Sequence, residues 1–200
     1  MYSDIMKFKE LSHIQSINGP ILVTGHTGFK GTWLTYLLES LNIEVIGLSL
    51  PPQPESLYTR ASRTGNIKEA FFDIREPQLV DAFIEKHKPE IIIHLAAQSL
   101  VLESYKKPKY TFDVNVNGTL NILESAVKHN STKIVLTTTT DKVYENSGLG
   151  KSFFESDPLK GKDPYSASKV AVENVIFAWQ GISEMNNGPK LLTALSLIHI

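Results

Sequence analysis

Ile21-Leu22-Val23-Thr24-Gly25-His26-Thr27-Gly28-Phe29-Lys30-Gly31 is the stretch that decides the fold. An apolar run leads into glycines at 25, 28 and 31. A helical pattern follows, with Trp33, Leu34, Leu37, Leu38 and Leu41 recurring at three- and four-residue spacing. A strand, a glycine-rich turn and an amphipathic helix, in that order, bring backbone N–H groups to a helix N-terminus, where a pyrophosphate can sit. The same residues would also make a plain tight turn. The strand before and the helix after are what favour the phosphate cradle.

Beyond this unit, short apolar runs alternate with helical patterns. Strands are expected at Glu44 to Leu50, Ala70 to Phe72, Ile91 to Leu95 and Ile134 to Thr137. Helices are expected from Lys30 to Leu41, from Pro77 to His87, from Tyr110 to His129 and from Ser166 to about Trp179. In the third of these, Leu120, Leu123, Ala126 and Val127 should face the sheet. Strands alternating with helices imply an α/β fold, a doubly wound parallel sheet of Rossmann type with right-handed crossovers. The long segment from Asp141 to Pro164, rich in Gly, Ser and charge, falls where a ligand crevice would open.

Bulk composition narrows the function classes. Hydrophobic residues at 42% and charged residues at 20% describe an ordered globular chain. A formal net charge of -1 provides no field for a nucleic-acid backbone, so no nucleic-acid partner is expected. With no cysteine, thiolate metal sites and disulfides are ruled out, and the scattered histidines suggest no metal site. No apolar run approaches a membrane span, and Met1 to Asn18 lacks the pattern of a secretory signal, so a cytoplasmic enzyme without a membrane partner is expected.

Several residues are candidates for binding a dinucleotide. The turn supplies Gly25, Thr27, Gly28, Phe29, Lys30 and Gly31. The acidic residue that would bind an adenosine ribose after the second strand is replaced by Ser49, so one usual reason to prefer NAD over NADP is absent. Asp73 and Ile74 follow the third strand. There a carboxylate either meets an adenine amino group or is a solvated turn residue. Leu95, Ala96, Ala97 and Gln98 end the fourth strand with small residues that let a nicotinamide ribose lie close, or that simply pack helix on sheet.

Tyr165 and Lys169, candidates both for catalysis and for holding the cofactor, are four apart in Tyr165-Ser166-Ala167-Ser168-Lys169 and share a helical face. A tyrosine with an ordinary pKa near 10 is a poor base. Bringing it to about 7 takes roughly 4 kcal/mol of preferential phenolate stabilisation. The Lys169 ammonium and an oxidised nicotinamide are cations that could supply it. Thr140, Asp141 and Lys142 close the fifth strand at its carboxyl end, where a hydroxyl, an acid and a base can face the crevice, or where an ordinary polar turn can sit. Asn115 lies early in the long helix, placed to hold a helix irregularity or a water near Lys169, or to be a buried amide.

Four segments together resemble the extended short-chain dehydrogenase/reductase family, in its NAD-dependent epimerase/dehydratase branch. They are Thr24 to Gly31, His94 to Gln98, Asp141 to Asn146 and Asp163 to Lys169, and the likeness runs from about Gly19 to Ala194. The resemblance implies a nucleotide-sugar 4,6-dehydratase with bound NAD and a small-molecule nucleotide-sugar substrate, CDP-glucose first. Another nucleotide-sugar dehydratase or 4-epimerase is the alternative, as is a non-catalytic dinucleotide-binding module. It further implies that Tyr165, helped by Lys169 and Thr140, deprotonates the sugar 4-hydroxyl. Asp141 would be the acid that expels the 6-hydroxyl and Lys142 the group at C5, where relatives acting on dTDP-glucose or GDP-mannose carry Glu. A homodimer built on the helices from Tyr110 and Ser166 is implied for the full-length form.

Two departures from the family pattern stand out. Ser99 and Leu102 occupy places where the family tends to have Pro and Arg. The family also continues beyond Ala194 into a C-terminal substrate domain. The expectation is therefore an NAD-binding domain over 1–194, with an N-terminal extension over 1–19 and the substrate domain missing. Leu195 to Ile200 matches, in one reading frame, the translation of a transposon end used in sequencing libraries. It is expected to be an artefactual tail, though it is apolar enough to be a natural final strand.

Overall fold

A computed structural model describes residues 17–146, 148, 150 and 152–196. Most of the expected N-terminal extension, and the expected tail beyond Ser196, lie outside the described residues.

The elements run β1 Ile21–Thr24, α1 Phe29–Ser40, β2 Val45–Ser49, α2 Leu57–Arg60, β3 Lys68–Phe71, α3 Pro77–His87, β4 Ile91–His94, α4 Val101–Lys106 and α5 Pro108–Phe112. A π-helical turn, Asp113–Asn117, leads into α6 Gly118–His129. Then come β5 Ile134–Thr139, a 3-10 turn Asp141–Val143, α7 Pro164–Met185 and β6 Lys190–Leu195. The six strands form one sheet in the order β3-β2-β1-β4-β5-β6, with every pairing parallel. The strand order reverses between β1 and β4. In such sheets a ligand crevice opens at that switch point, at the carboxyl ends of the strands.

The apolar runs explain the sheet. β1 and β2 are buried at every position, as expected of strands covered on both faces. Leu22, Ile46, Leu48, Ile92 and Val135 share one core with Val80 and Ile84 of α3, Ile122 and Leu123 of α6, and Val172 and Ile176 of α7. Ile21, Val23 and Val45 turn to the other face, against Leu38 of α1. Pro77 opens α3, and Lys88 ends it in the left-handed conformation at φ 48°. Asp163 caps α7 by accepting the Ser166 N–H at 2.9 Å, and Pro164 holds the first helical position.

Three details depart from the sequence expectation. The segment from Tyr110 to His129 is α5, a π-helical turn and α6 rather than one regular helix. In α6 the buried face carries Thr119, Ile122, Leu123, Ser125 and Ala126, while Leu120 is only half-buried. Buried hydroxyls share this stripe, so apolar residues alone misplace its edge. The helix expected to end near Trp179 continues to Met185 because no proline interrupts it and Gly181 is exposed and unobstructed.

The sixth strand pairs with β5 from Ile134↔Lys190 to Thr139↔Leu195, so Leu195 is a strand residue. Among the described residues no helix is long and apolar enough to cross a membrane.

Candidate active site

A cleft of about 560 Å³ opens at the carboxyl ends of β1, β4 and β5. The cofactor and catalytic candidates drawn from the sequence line it: the glycine turn, Asp73 and Ile74, Leu95 to Gln98, Thr140 to Lys142, Tyr165 and Lys169; Asn115 does not.

The glycine turn is built by contact. Gly25 has φ +72°, and a Cβ there would lie 2.8 Å from the Ala96 nitrogen. A Cβ on Gly31 would lie 2.3 Å from the Gly25 carbonyl oxygen. Gly28 is the N-cap of α1 with no side-chain cap, and no acidic residue occupies the first turn. The helix N-terminus is thus left to whatever anion enters the cleft. A dinucleotide pyrophosphate fits this cradle, because the glycines at 25 and 31 let the turn fold tightly against β4 and the uncapped start of α1.

His26 anchors the turn from below. Its ring is sealed from solvent, its Nε2 lies 2.9 Å from Glu69 Oε2 on β3, and burial pushes its pKa down. A Cβ on Gly47 would lie 2.7 Å from the ring, so the bare backbone of β2 makes room for it. Thr27 Oγ1 and Ser49 Oγ are 2.6 Å apart, so the residue standing where an acid was expected is tied to the turn.

Asp73 is not a solvated turn residue. Arg75 grips it through Nη2 at 2.8 Å and Nε at 3.1 Å, reaches Asp113 Oδ2 at 3.0 Å, and lies 4.8 Å from the Tyr110 ring centroid. These hydrogen bonds hold the Asp73 carboxyl below its usual range. Sequence reasoning missed Arg75 and Tyr110. The only local signal was the Asp73-Ile74-Arg75 spacing.

Asn115 sits within the π-turn and binds the end of β4. Its Oδ1 accepts the Gln98 N–H at 2.8 Å, and its Nδ2 lies 3.1 Å from the Gln98 carbonyl and 2.8 Å from Ser168 Oγ. The helix irregularity expected at this residue is present, and the amide is buried and satisfied.

At the reactive end, Thr140 lies beside Tyr165, where it lowers the phenol pKa, and donates to Asp141 Oδ1 at 3.1 Å. Lys142 is exposed at the rim. Lys169 is buried, and its Nζ donates to the Thr138 carbonyl at 3.0 Å. Burial pushes its pKa down to about 8, Glu173 opposes that, and Lys30 adds to it. Thr139 donates to Glu173, which lies one helical turn beyond Lys169. Lys30 reaches across the cleft to Ser196 Oγ.

Burial raises the Tyr165 phenol pKa and Thr140 opposes that, while the Lys169 nitrogen is held by the Thr138 carbonyl.

A family model described as GDP-mannose 4,6 dehydratase matches residues 22–187. The chain is 38% identical over 161 residues to a CDP-glucose 4,6-dehydratase of Salmonella typhimurium, covering 80% of this chain and 45% of that protein. It is 34% identical over 170 residues to a probable dTDP-glucose 4,6-dehydratase of Sinorhizobium fredii, covering 80% and 49%. The UDP-glucose 4-epimerase of Thermus thermophilus, solved in complex with NAD, superposes with a TM-score of 0.75 at 26% identity, covering 87% of this chain and 53% of that one. The chain therefore spans about half the length of the relatives it matches.

Proposed function

The chain belongs to the GDP-mannose 4,6 dehydratase family, and from that premise we propose that it carries the NAD-binding half and the reactive residues of a nucleotide-sugar 4,6-dehydratase. The substrate is CDP-glucose and the product CDP-4-keto-6-deoxyglucose, formed with loss of water. One observation carries this reading: a single cleft holds the glycine turn, the small-residue end of β4, Tyr165 with Thr140, Asp141, Lys142, and Lys169. The likeness to the Salmonella CDP-glucose enzyme supports the choice of nucleotide.

In this reading the α1 N-terminus and the amides of the glycine turn hold the pyrophosphate. Asp73, oriented by Arg75, and Ile74 face the adenine, and Leu95 to Gln98 face the nicotinamide ribose. NAD, when bound, supplies a reversible hydride acceptor and a positive charge. Tyr165 takes the proton of the sugar 4-hydroxyl, and Thr140 steadies the phenol by hydrogen bonding. Oxidation at C4 acidifies the C5 proton, which Lys142 would remove while Asp141 protonates the departing 6-hydroxyl; return of the hydride to C6 and of a proton to C5 would then give the 6-deoxy product with the cofactor regenerated. Lys169 sits behind Tyr165 on the same helix and fixes that helix to β5 through the Thr138 carbonyl.

A domain over 1–194, a cytoplasmic location and a homodimer of the full-length form belong to the same proposal. Exposed apolar residues on α4 and α7, Leu102, Tyr105 and Phe177, support the dimer.

A second reading is a nucleotide-sugar 4-epimerase, favoured by the likeness to the Thermus epimerase. Incubating a full-length protein that contains this chain, in the presence of NAD, with CDP-, dTDP-, UDP- and GDP-glucose in turn, followed by NMR of the sugar, separates these. A 4-keto-6-deoxy product from CDP-glucose supports the proposal. The same product from another nucleotide alone overturns the substrate, and inversion at C4 without loss of water makes it an epimerase. NAD retained without sugar chemistry leaves a dinucleotide-binding module.

A further inference from the structure

The end of β4 carries a buried imidazole that the reaction above does not use. His94 is 2% exposed, and hydrogen bonds run from both of its ring nitrogens. Nδ1 lies 2.6 Å from Thr24 Oγ1 at the end of β1. Nε2 lies 3.0 Å from Thr119 Oγ1 on α6. Thr24 Oγ1 also accepts the N–H groups of Leu95 and Ala96, each at 3.2 Å. Thr119 Oγ1 donates to the Asn115 carbonyl at 2.6 Å, within the π-turn.

Hydrogen-bond accounting orders the links, starting from Thr119, whose hydrogen the Asn115 carbonyl takes. A threonine oxygen has two lone pairs and one hydrogen. Thr24 Oγ1 accepts the Ala96 N–H and shares the Leu95 N–H with the Thr24 carbonyl, which takes it at 3.1 Å, so the Thr24 hydrogen is left for His94 Nδ1. That nitrogen is therefore an acceptor, and the ring proton resides on Nε2 and is donated to Thr119. A doubly protonated ring would aim a third N–H at Thr24 Oγ1 and leave the Thr24 hydrogen without an acceptor.

We propose that His94 is a positioning residue, held as the neutral Nε2–H tautomer, that braces the Leu95–Ala96 floor of the cleft against the π-turn under the Tyr165–Lys169 helix. The chain of bonds reaches both working parts of the cleft. At one end, Thr24 fixes the amides of Leu95 and Ala96, where a Cβ on Gly25 would collide. At the other, Asn115 holds Gln98 and Ser168, the neighbour of Lys169. Burial, and secondarily the charge of Lys169, pushes the His94 pKa down to about 3, in keeping with a ring that stays neutral. Its effect on cofactor rests on the functional reading above. Its tautomer does not.

Two measurements test it. In the full chain labelled with 15N-histidine, long-range 1H–15N spectra should show one imidazole as the Nε2–H tautomer, unchanged from about pH 5 to about pH 8, where an ordinary imidazole changes charge. Its resonance is assigned by its loss in His94→Gln. A titrating ring or an Nδ1–H tautomer overturns the proposal. In the second, NAD affinity is measured by equilibrium dialysis for the native chain, His94→Leu and His94→Gln. Leu should weaken binding about tenfold or more, and Gln, which keeps a donor and an acceptor, should recover most of it. Equal affinity in all three overturns the bracing role. If the native chain binds no NAD, the functional reading falls, and the tautomer spectra still decide this proposal.

Discussion

The Lys169 ammonium nitrogen donates to the Thr138 carbonyl at 3.0 Å from a position sealed away from solvent. A folded-state pKa near 8 lies below the ordinary 10.5, because burial penalises the charged form. Between those values the unfolded chain binds more protons than the folded one, so this group makes stability rise with pH across that window. Below pH 8 its full cost is present, on the order of 3 kcal/mol. Lys169→Met lacks this dependence. Urea unfolding should therefore show native stability gaining on the variant by up to ~3 kcal/mol from about pH 7 to about pH 10.5. A gap that does not change with pH would show that burial does not lower the pKa of Lys169.

Tyr165→Phe removes one hydroxyl and leaves the ring in place. If the phenol is the base on the sugar 4-hydroxyl, turnover of a competent full-length protein should fall by roughly 100-fold or more, the usual contribution of a general base. NAD affinity should change little, since the cradle is made by the glycine turn. NMR of the sugar product, together with equilibrium dialysis of NAD, reads both. Full turnover in the variant would end the assignment.

Gly31→Ala tests the cradle. The new methyl carbon would lie 2.3 Å from the Gly25 carbonyl oxygen and 2.6 Å from the His26 Cα, both backbone atoms. Relief requires the turn to move away from α1. We expect a stability loss of about 1–3 kcal/mol, as for overpacking, together with loss of NAD binding. Retained affinity and stability would mean that the turn is more plastic than its packing implies.

The sheet and the cleft lining were legible because the signals that made them are local. β1 and β2 are unbroken apolar runs, Pro77 marks the start of α3, and the glycine spacing identifies a turn. The π-turn at Asp113–Asn117 was not legible as such, since its register is set by Asn115 reaching Gln98, which no helical period encodes. The partners of His26 and Lys169 were hidden for the same reason. Glu69 and Thr138 are distant in sequence, and only the sheet order brings them near. Arg75 follows Asp73 by two residues, but its reach to Asp113 depends on where α5 delivers the π-turn.

That dependence gives the last prediction. The Asn115 side chain bonds the amide and carbonyl of Gln98, at the cleft wall, and the hydroxyl of Ser168 behind it. Asn115→Leu preserves size but leaves the Gln98 amide and carbonyl without this partner, at a cost of about 1–3 kcal/mol for each buried group left unmade, while Ser168 keeps its bond to the Tyr165 carbonyl. The freed π-turn should relax toward regular helix, which rotates Asp113 relative to α6 and loosens its pair with Arg75 at 3.0 Å. Asp73 then keeps its Arg75 contacts, because those come from a residue two positions away. The expected outcome is a destabilised chain in which hydrogen exchange quickens first in the amides around Gln98 and the π-turn, while β1 and β2 stay protected. Uniform protection would show that the π-turn is held by something other than Asn115.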